Sequence, residues 1–103
     1  MRGYLLAVVL LVGPALSGCG SVYYLVSVNA ASSRLEQARA MGAESAAPFE
    51  YYYAREHLHQ AQVEAREASY GDAAAYAETA ESYAQKAIDL TAAARRGETR
   101  EAK

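Results

Sequence analysis

Past residue 20, apolar positions along the chain recur in alternating steps of three and four. Tyr24, Val28, Ala31, Leu35 and Ala38 form one such series. Tyr51, Ala54, Leu58, Ala61, Ala65 and Ala68 form a second, and Ala73, Tyr76, Ala80, Tyr83, Ala87, Leu90 and Ala94 a third. This spacing gives each helix one apolar seam, as in antiparallel bundles. No stretch alternates with period two over a useful length, so a sheet is not expected. The predicted fold is all-α: a short N-terminal helix beside a long antiparallel helical hairpin, giving a three-helix bundle of coiled-coil type.

The residues between the seams agree with this division. Ser21 is placed to cap the first helix, and Met41-Gly42 to end it. The small residues 42–47 form a loop leading to Pro48, which suits the first turn of a helix, and Glu50 follows where the dipole favours negative charge. Gly71 is expected to end the second helix in the left-handed conformation and Asp72 to cap the third, so the two fold back as a hairpin. Arg95 and Arg96 complement the last dipole, Gly97 is expected to stop the helix, and residues 97–103 form a charged, disordered tail.

Composition sharpens the picture. The hydrophobic fraction of 52% consists largely of alanine, with nine tyrosines, one phenylalanine and no tryptophan. Helices packed closely through alanine and bridged by tyrosine are expected, not a large greasy core. A net charge of −2 gives no basic field for nucleic acid. The single cysteine excludes an internal disulfide and any Cys-x-x-Cys metal or redox motif, so its position must explain it.

That position follows a leader. Arg2 supplies a positive start, Tyr4 to Val12 an apolar run, and Gly13-Pro14 a break before small residues, which is the layout of a secretory signal peptide. Leu16, Ser17, Gly18 and Cys19 resemble the bacterial lipobox. The resemblance implies that residues 1–18 are removed, that Cys19 carries acyl chains, and that residues 19–96 form a lipid-anchored domain. Two or three chains suffice for stable anchoring where one does not. Gly20 stands where an aspartate favours inner-membrane retention in enterobacterial lipoproteins, which points to the outer membrane, facing the periplasm. Two other readings stand beside this one. Cys19 could be a buried thiol after an ordinary signal peptide, or the uncharged run from Gly3 to Ser33 could span a bilayer, whose core needs about 20 residues. Gly13, Pro14, Gly18, Gly20 and the polar Ser21, Ser27, Asn29 and Ser32 weigh against a span.

With so little chain between Cys19 and the first helix, the bundle should begin at the membrane surface. Tyr23 and Tyr24, with Leu25 and Val26, are candidates for the headgroup level, where aromatic rings are favoured, or for packing on the hairpin.

From Ala47 to Ala94 the chain resembles a bacterial lipoprotein family known as domain of unknown function 4398. The resemblance rests on Ala47-Pro48-Phe49-Glu50-Tyr51, on Leu58 with Ala61, Ala65 and Ala68, and on Tyr70-Gly71-Asp72 followed by Ala80, Tyr83, Ala84 and Ala87. It implies envelope location and a helical hairpin, with no established activity; Ala73 stands where an aromatic residue often follows the Gly-Asp pair. Gly71-Asp72 with Ala80 and Ala87 also resembles part of a tetratricopeptide repeat, but an array needs about three units.

Chemistry is sparse. His57 and His59 are two apart, on different sides of a helix, whereas helical metal pairs use spacings of three or four. No metal, cofactor or small-molecule substrate is expected, and no nucleophile elbow, phosphate loop or triad is visible. Tyr51, Tyr52 and Tyr53 point in three directions, so some must face outward. Phe49, Tyr52 and Tyr53 are the candidate partner interface, although tyrosines filling gaps between alanine-rich helices is the simpler account. The expected function is a non-enzymatic structural or adaptor lipoprotein, binding another envelope protein or copies of itself. The alternative is a periplasmic module that stacks tyrosines on cell-wall glycan.

Overall fold

The computed structural model of the chain describes residues 3–4 and 19–101. Leu16, Ser17, Gly18 and most of the expected leader lie outside the described residues. Among the described residues from 19 onward, four helices follow one another: α1 Cys19–Ala40, the single turn α2 Ala43–Ala46, α3 Pro48–Arg66 and α4 Tyr70–Glu101. No strand occurs among the described residues, and the helices pack as a bundle.

The bundle closes on alanine. Ala31, Ala38, Ala54, Ala61, Ala73, Ala77, Ala84 and Ala87 are wholly buried. A methyl group in place of a longer side chain lets helix backbones approach closely, so contact area comes from proximity instead of bulk. Two clusters fill the core. One gathers Tyr51 with Ala38, Ala43, Ala47, Ala87 and Ile88. The other gathers Tyr24 with Ala61, Ala73, Ala74 and Ala77. The only wholly buried larger side chain among the described residues, Thr91, turns its hydroxyl to the Ala87 carbonyl at 2.7 Å. That bond satisfies a polar group which would otherwise be costly inside.

Helix α1 runs parallel to α4 and antiparallel to α3. Gly20 lies beside Tyr70, Tyr23 donates a hydrogen bond to Glu78, and Arg95 donates to the Met41 carbonyl at the far end. The end carrying Cys19 therefore coincides with the turn between α3 and α4. The seams expected of α1 and α3 are largely those observed. In α4 the buried stripe is wider and rotated: Ala74, Ala77, Ala84, Ile88 and Thr91 are inside, whereas Tyr76, Leu90 and Ala94 are exposed. A third helix packed along α4 explains this, because α4 must face α1 as well as α3 and one seam cannot serve both.

The boundaries shift at four places. Helix α1 begins at Cys19, so Ser21 lies within it and does not cap it. Residues 43–46 wind into the turn α2 after Gly42, which takes the left-handed conformation at φ 87°. Pro48 opens α3 as expected. The third shift is the hairpin turn. Ala68, not Gly71, adopts the left-handed conformation at φ 60°. Ser69 N–H donates to the Glu64 carbonyl at 2.9 Å and Ala68 N–H to Ala65 at 3.0 Å, a Schellman closure. Gly71 and Asp72 are thereby drawn into α4, and residues 67–69 make the link. Closing three residues early brings Tyr70 against Tyr24, their ring centroids 6.0 Å apart, and sets Ala73 and Ala74 in the core. Finally, α4 continues through Gly97 to Glu101, where a disordered tail was expected. A helical glycine costs about 1 kcal/mol relative to alanine, too little to stop a helix unaided.

The two turn residues make opposite demands. A left-handed alanine costs about 1–2 kcal/mol, so Ala68→Gly should stabilise the fold by roughly 1 kcal/mol. Gly71 is helical with open space around its Cβ position, so Gly71→Ala should stabilise it by up to about 1 kcal/mol. Urea denaturation of the full chain followed by circular dichroism checks both; a turn closed at Gly71 would make the second change destabilising.

Candidate interaction site on the hairpin

Phe49, Tyr53 and His57 stand four residues apart on α3, so they line one face of that helix. Opposite them, Tyr76 and Tyr83 stand seven apart on α4. The five rings meet. Phe49 and Tyr53 have centroids 5.6 Å apart, Tyr53 and Tyr83 4.2 Å, Tyr53 and His57 a stacked 4.1 Å, and His57 and Tyr76 5.9 Å. Phe49 also meets Tyr83 edge-on at 6.4 Å. The outcome is a continuous aromatic strip supplied by α3 and α4. Its members are half-buried or exposed, and Phe49 is 64% accessible.

The strip holds itself in place. His57 Nδ1 donates to the Tyr53 carbonyl at 2.9 Å, which fixes the ring and leaves Nε2 as an acceptor in the neutral imidazole. Lys86 lies over the Tyr83 ring with its ammonium 4.2 Å from the centroid, a cation–π contact. Toward the α3–α4 turn the strip opens into a groove of about 510 Å³, lined by Tyr53, His57, Glu64, Asp72, Ala75, Tyr76 and Thr79. Gln60 donates to one Glu64 oxygen at 2.9 Å.

Of the expected interface, Phe49 and Tyr53 belong to the strip and Tyr52 does not. Tyr52 packs edge-on against buried Tyr51 at 5.2 Å, and the Arg55 guanidinium covers its face at 4.9 Å. Three consecutive residues on a helix are 100° apart, so the triplet is split between core, flank and groove. His57, Tyr76 and Tyr83 complete the strip; the four-residue steps from Phe49 to His57 are visible in the sequence, but the pairing across helices is not.

The two tyrosines near Cys19 also separate. Tyr24 is core, 9% exposed, so it is not available to a membrane surface. Tyr23 is exposed, along with Val22, Leu25 and Val26. Its phenol is held above its ordinary pKa, chiefly because it hydrogen-bonds the negative Glu78. No group of three or more metal-ligating side chains occurs among the described residues, and no described helix is long and apolar enough to cross a membrane.

Residues 26–103 match the family described as Domain of unknown function (DUF4398). The chain belongs to the DUF4398 family. No curated protein and no solved structure matches it. The matched span takes in every ring of the strip and begins within α1 at Val26, the last of the exposed apolar residues that follow Cys19.

In this DUF4398 protein Tyr51 is the aromatic residue most firmly committed to the core. Burial and then the charge of Glu44 raise its pKa from 10.0. A phenol raised in the folded state adds stability that is intact below its unfolded pKa and is lost as pH rises through the folded one. Stability should thus hold to about pH 10 and fall above it. Tyr51→Phe should lose less over the same rise, as urea midpoints measured at several alkaline pH values would show; equal losses would refute the assignment.

Proposed function

We propose that this protein is a non-enzymatic adaptor of the bacterial cell envelope. In this reading Cys19 carries acyl chains that hold the bundle at the periplasmic face of the outer membrane, and the aromatic strip engages another envelope protein or a second copy. The observation that carries the anchored part is the start of α1. Val22, Leu25 and Val26 are 60%, 54% and 63% exposed, while Tyr24 and Ser27 on the other side are buried. The outward face of the helix is thus apolar from Val22 to Val26, close to Cys19, and becomes polar from Asn29 through Ser33 and Glu36. Water gives such a patch no stabilisation, whereas the headgroup boundary of a bilayer does. The lipobox-like Leu16-Ser17-Gly18-Cys19 supplies the chemistry for acylation at that same end.

The strip supports the adaptor part. Aromatic residues carry much of the binding energy at protein interfaces, and those on the strip are rigidly presented by two helices. A second reading, stacking of sugar rings from cell-wall glycan, is favoured by the same exposed rings. The grooves on the described surface are open and shaped by helix flanks. They suit a side chain or an extended segment better than a substrate that must be sealed from water.

In cells, Cys19→Ser should abolish acyl labelling and leave the leader uncut by the lipoprotein peptidase. Unchanged labelling and processing would defeat the anchor. Cross-linking of the wild-type chain in intact cells should capture one defined partner or a self-ladder, and a chain that stays monomeric would defeat the adaptor role.

A further inference from the structure

Resting on the adaptor reading, we infer that the groove between Tyr53, His57 and Tyr76 receives a cationic side chain, arginine above all, from a basic segment of the partner. The lining groups decide the sign. Two carboxylates, Glu64 and Asp72, face an opening whose other walls are the rings of Tyr53, His57 and Tyr76 with Ala75 and Thr79, and no lysine or arginine lines it. Glu64 occupies the last turn of α3, where the helix dipole is already negative. Placing a carboxylate there works against helix stability, and a cation would relieve it. The Gln60 amide engages one of its oxygens and leaves the other to accept.

The hydrogen-bonding capacity of the groove points the same way. His57 spends its Nδ1 proton on the Tyr53 carbonyl, so the neutral ring has only an acceptor left. Thr79 spends its hydroxyl proton on the Ala75 carbonyl at 3.1 Å. Besides the tyrosine hydroxyls, which can act either way, the lining is one of acceptors and π-faces. An anion or a carbonyl would find few donors, whereas a guanidinium brings five N–H donors in a planar fork that also stacks on aromatic rings.

The protein already shows how its rings treat cations. Lys86 covers Tyr83 at one end of the strip, and Arg55 covers Tyr52 on the neighbouring flank. Tyr76 and His57, at the carboxylate end, share the strip without a basic residue in the lining beside them. A cation–π contact gains strength when desolvated, and carboxylates behind the rings add directional partners. A groove of about 510 Å³ is roomy enough for an arginine with part of its flanking backbone.

The full chain in nonionic detergent is titrated with an oligoarginine peptide by calorimetry, with oligolysine of equal charge and a chitin-derived oligosaccharide as comparisons. Oligoarginine should bind more tightly than oligolysine. Tyr76→Ala should weaken it about threefold to tenfold, and Tyr76→Phe should retain it. Glu64→Gln with Asp72→Asn should weaken it at least tenfold, while Glu81→Gln with Glu98→Gln, the same change of charge outside the groove, should leave it nearly unchanged. Circular dichroism verifies that each variant is folded. Equal losses from both carboxylate pairs, indifference to Tyr76→Ala, or binding of the oligosaccharide in place of the peptide would each overturn the inference. A defined cross-linked partner together with any of these would leave the adaptor role standing and refute only the cationic guest. Groove-dependent peptide binding with no partner in cells would uphold the cationic guest and remove the adaptor role.

Discussion

Close approach of helix backbones through alanine is the constraint on which this structure depends. Where Ala31, Ala38, Ala54, Ala61, Ala77, Ala84 and Ala87 meet, no longer side chain fits without moving a helix. The gain is tight dispersion contact along the length of three helices; the loss is apolar area, since each methyl removes little surface from water. Large side chains are used sparingly to lock the register. Tyr51 holds the end near α2, Tyr24 with Tyr70 holds the end near Cys19, and Thr91 is accepted inside because its hydroxyl folds back onto its own helix.

An alanine core leaves the larger side chains to the surface, which is how the candidate sites arise. Tyr53, Tyr76 and Tyr83 stay outside so narrow a seam and gather instead into a strip with Phe49 and His57, ring against ring. On α1 the apolar residues Val22, Leu25 and Val26 face outward at the end where Cys19 begins the helix. Two surfaces of different chemistry therefore sit on one small bundle, one aliphatic and beside the cysteine, the other aromatic and edged with carboxylates. The adaptor role proposed above, tethered at one surface and engaging a partner through the other, would use that separation.

How much of this is legible without coordinates differs by element. The helical class, the seams of α1 and α3, the break at Gly42 and the start at Pro48 follow from periodicity and local backbone preference. The turn at Ala68 does not. Local preference favours glycine in the left-handed conformation, and Gly71 is close at hand, but packing of Tyr70 on Tyr24 outweighs about 1–2 kcal/mol of backbone strain. The stripe on α4 is likewise misjudged from one helix alone, because the parallel placement of α1 gives α4 a second face to bury. Tyr52 and Tyr53 look equivalent in the sequence and differ in the fold, one under Arg55 and the other within the strip.

The sequence by itself determined the helical class, the alanine seams of α1 and α3, the break at Gly42 and the start at Pro48, and that the lone cysteine lies at the head of the first helix. Those properties are local, set by the 3.6-residue repeat and by individual side chains. Only the tertiary structure decided which neighbours face one another across helices, and so which rings join the strip, which tyrosine is interior, and where Glu64 and Asp72 converge. These depend on the relative rotation and direction of three helices, which no single helix encodes.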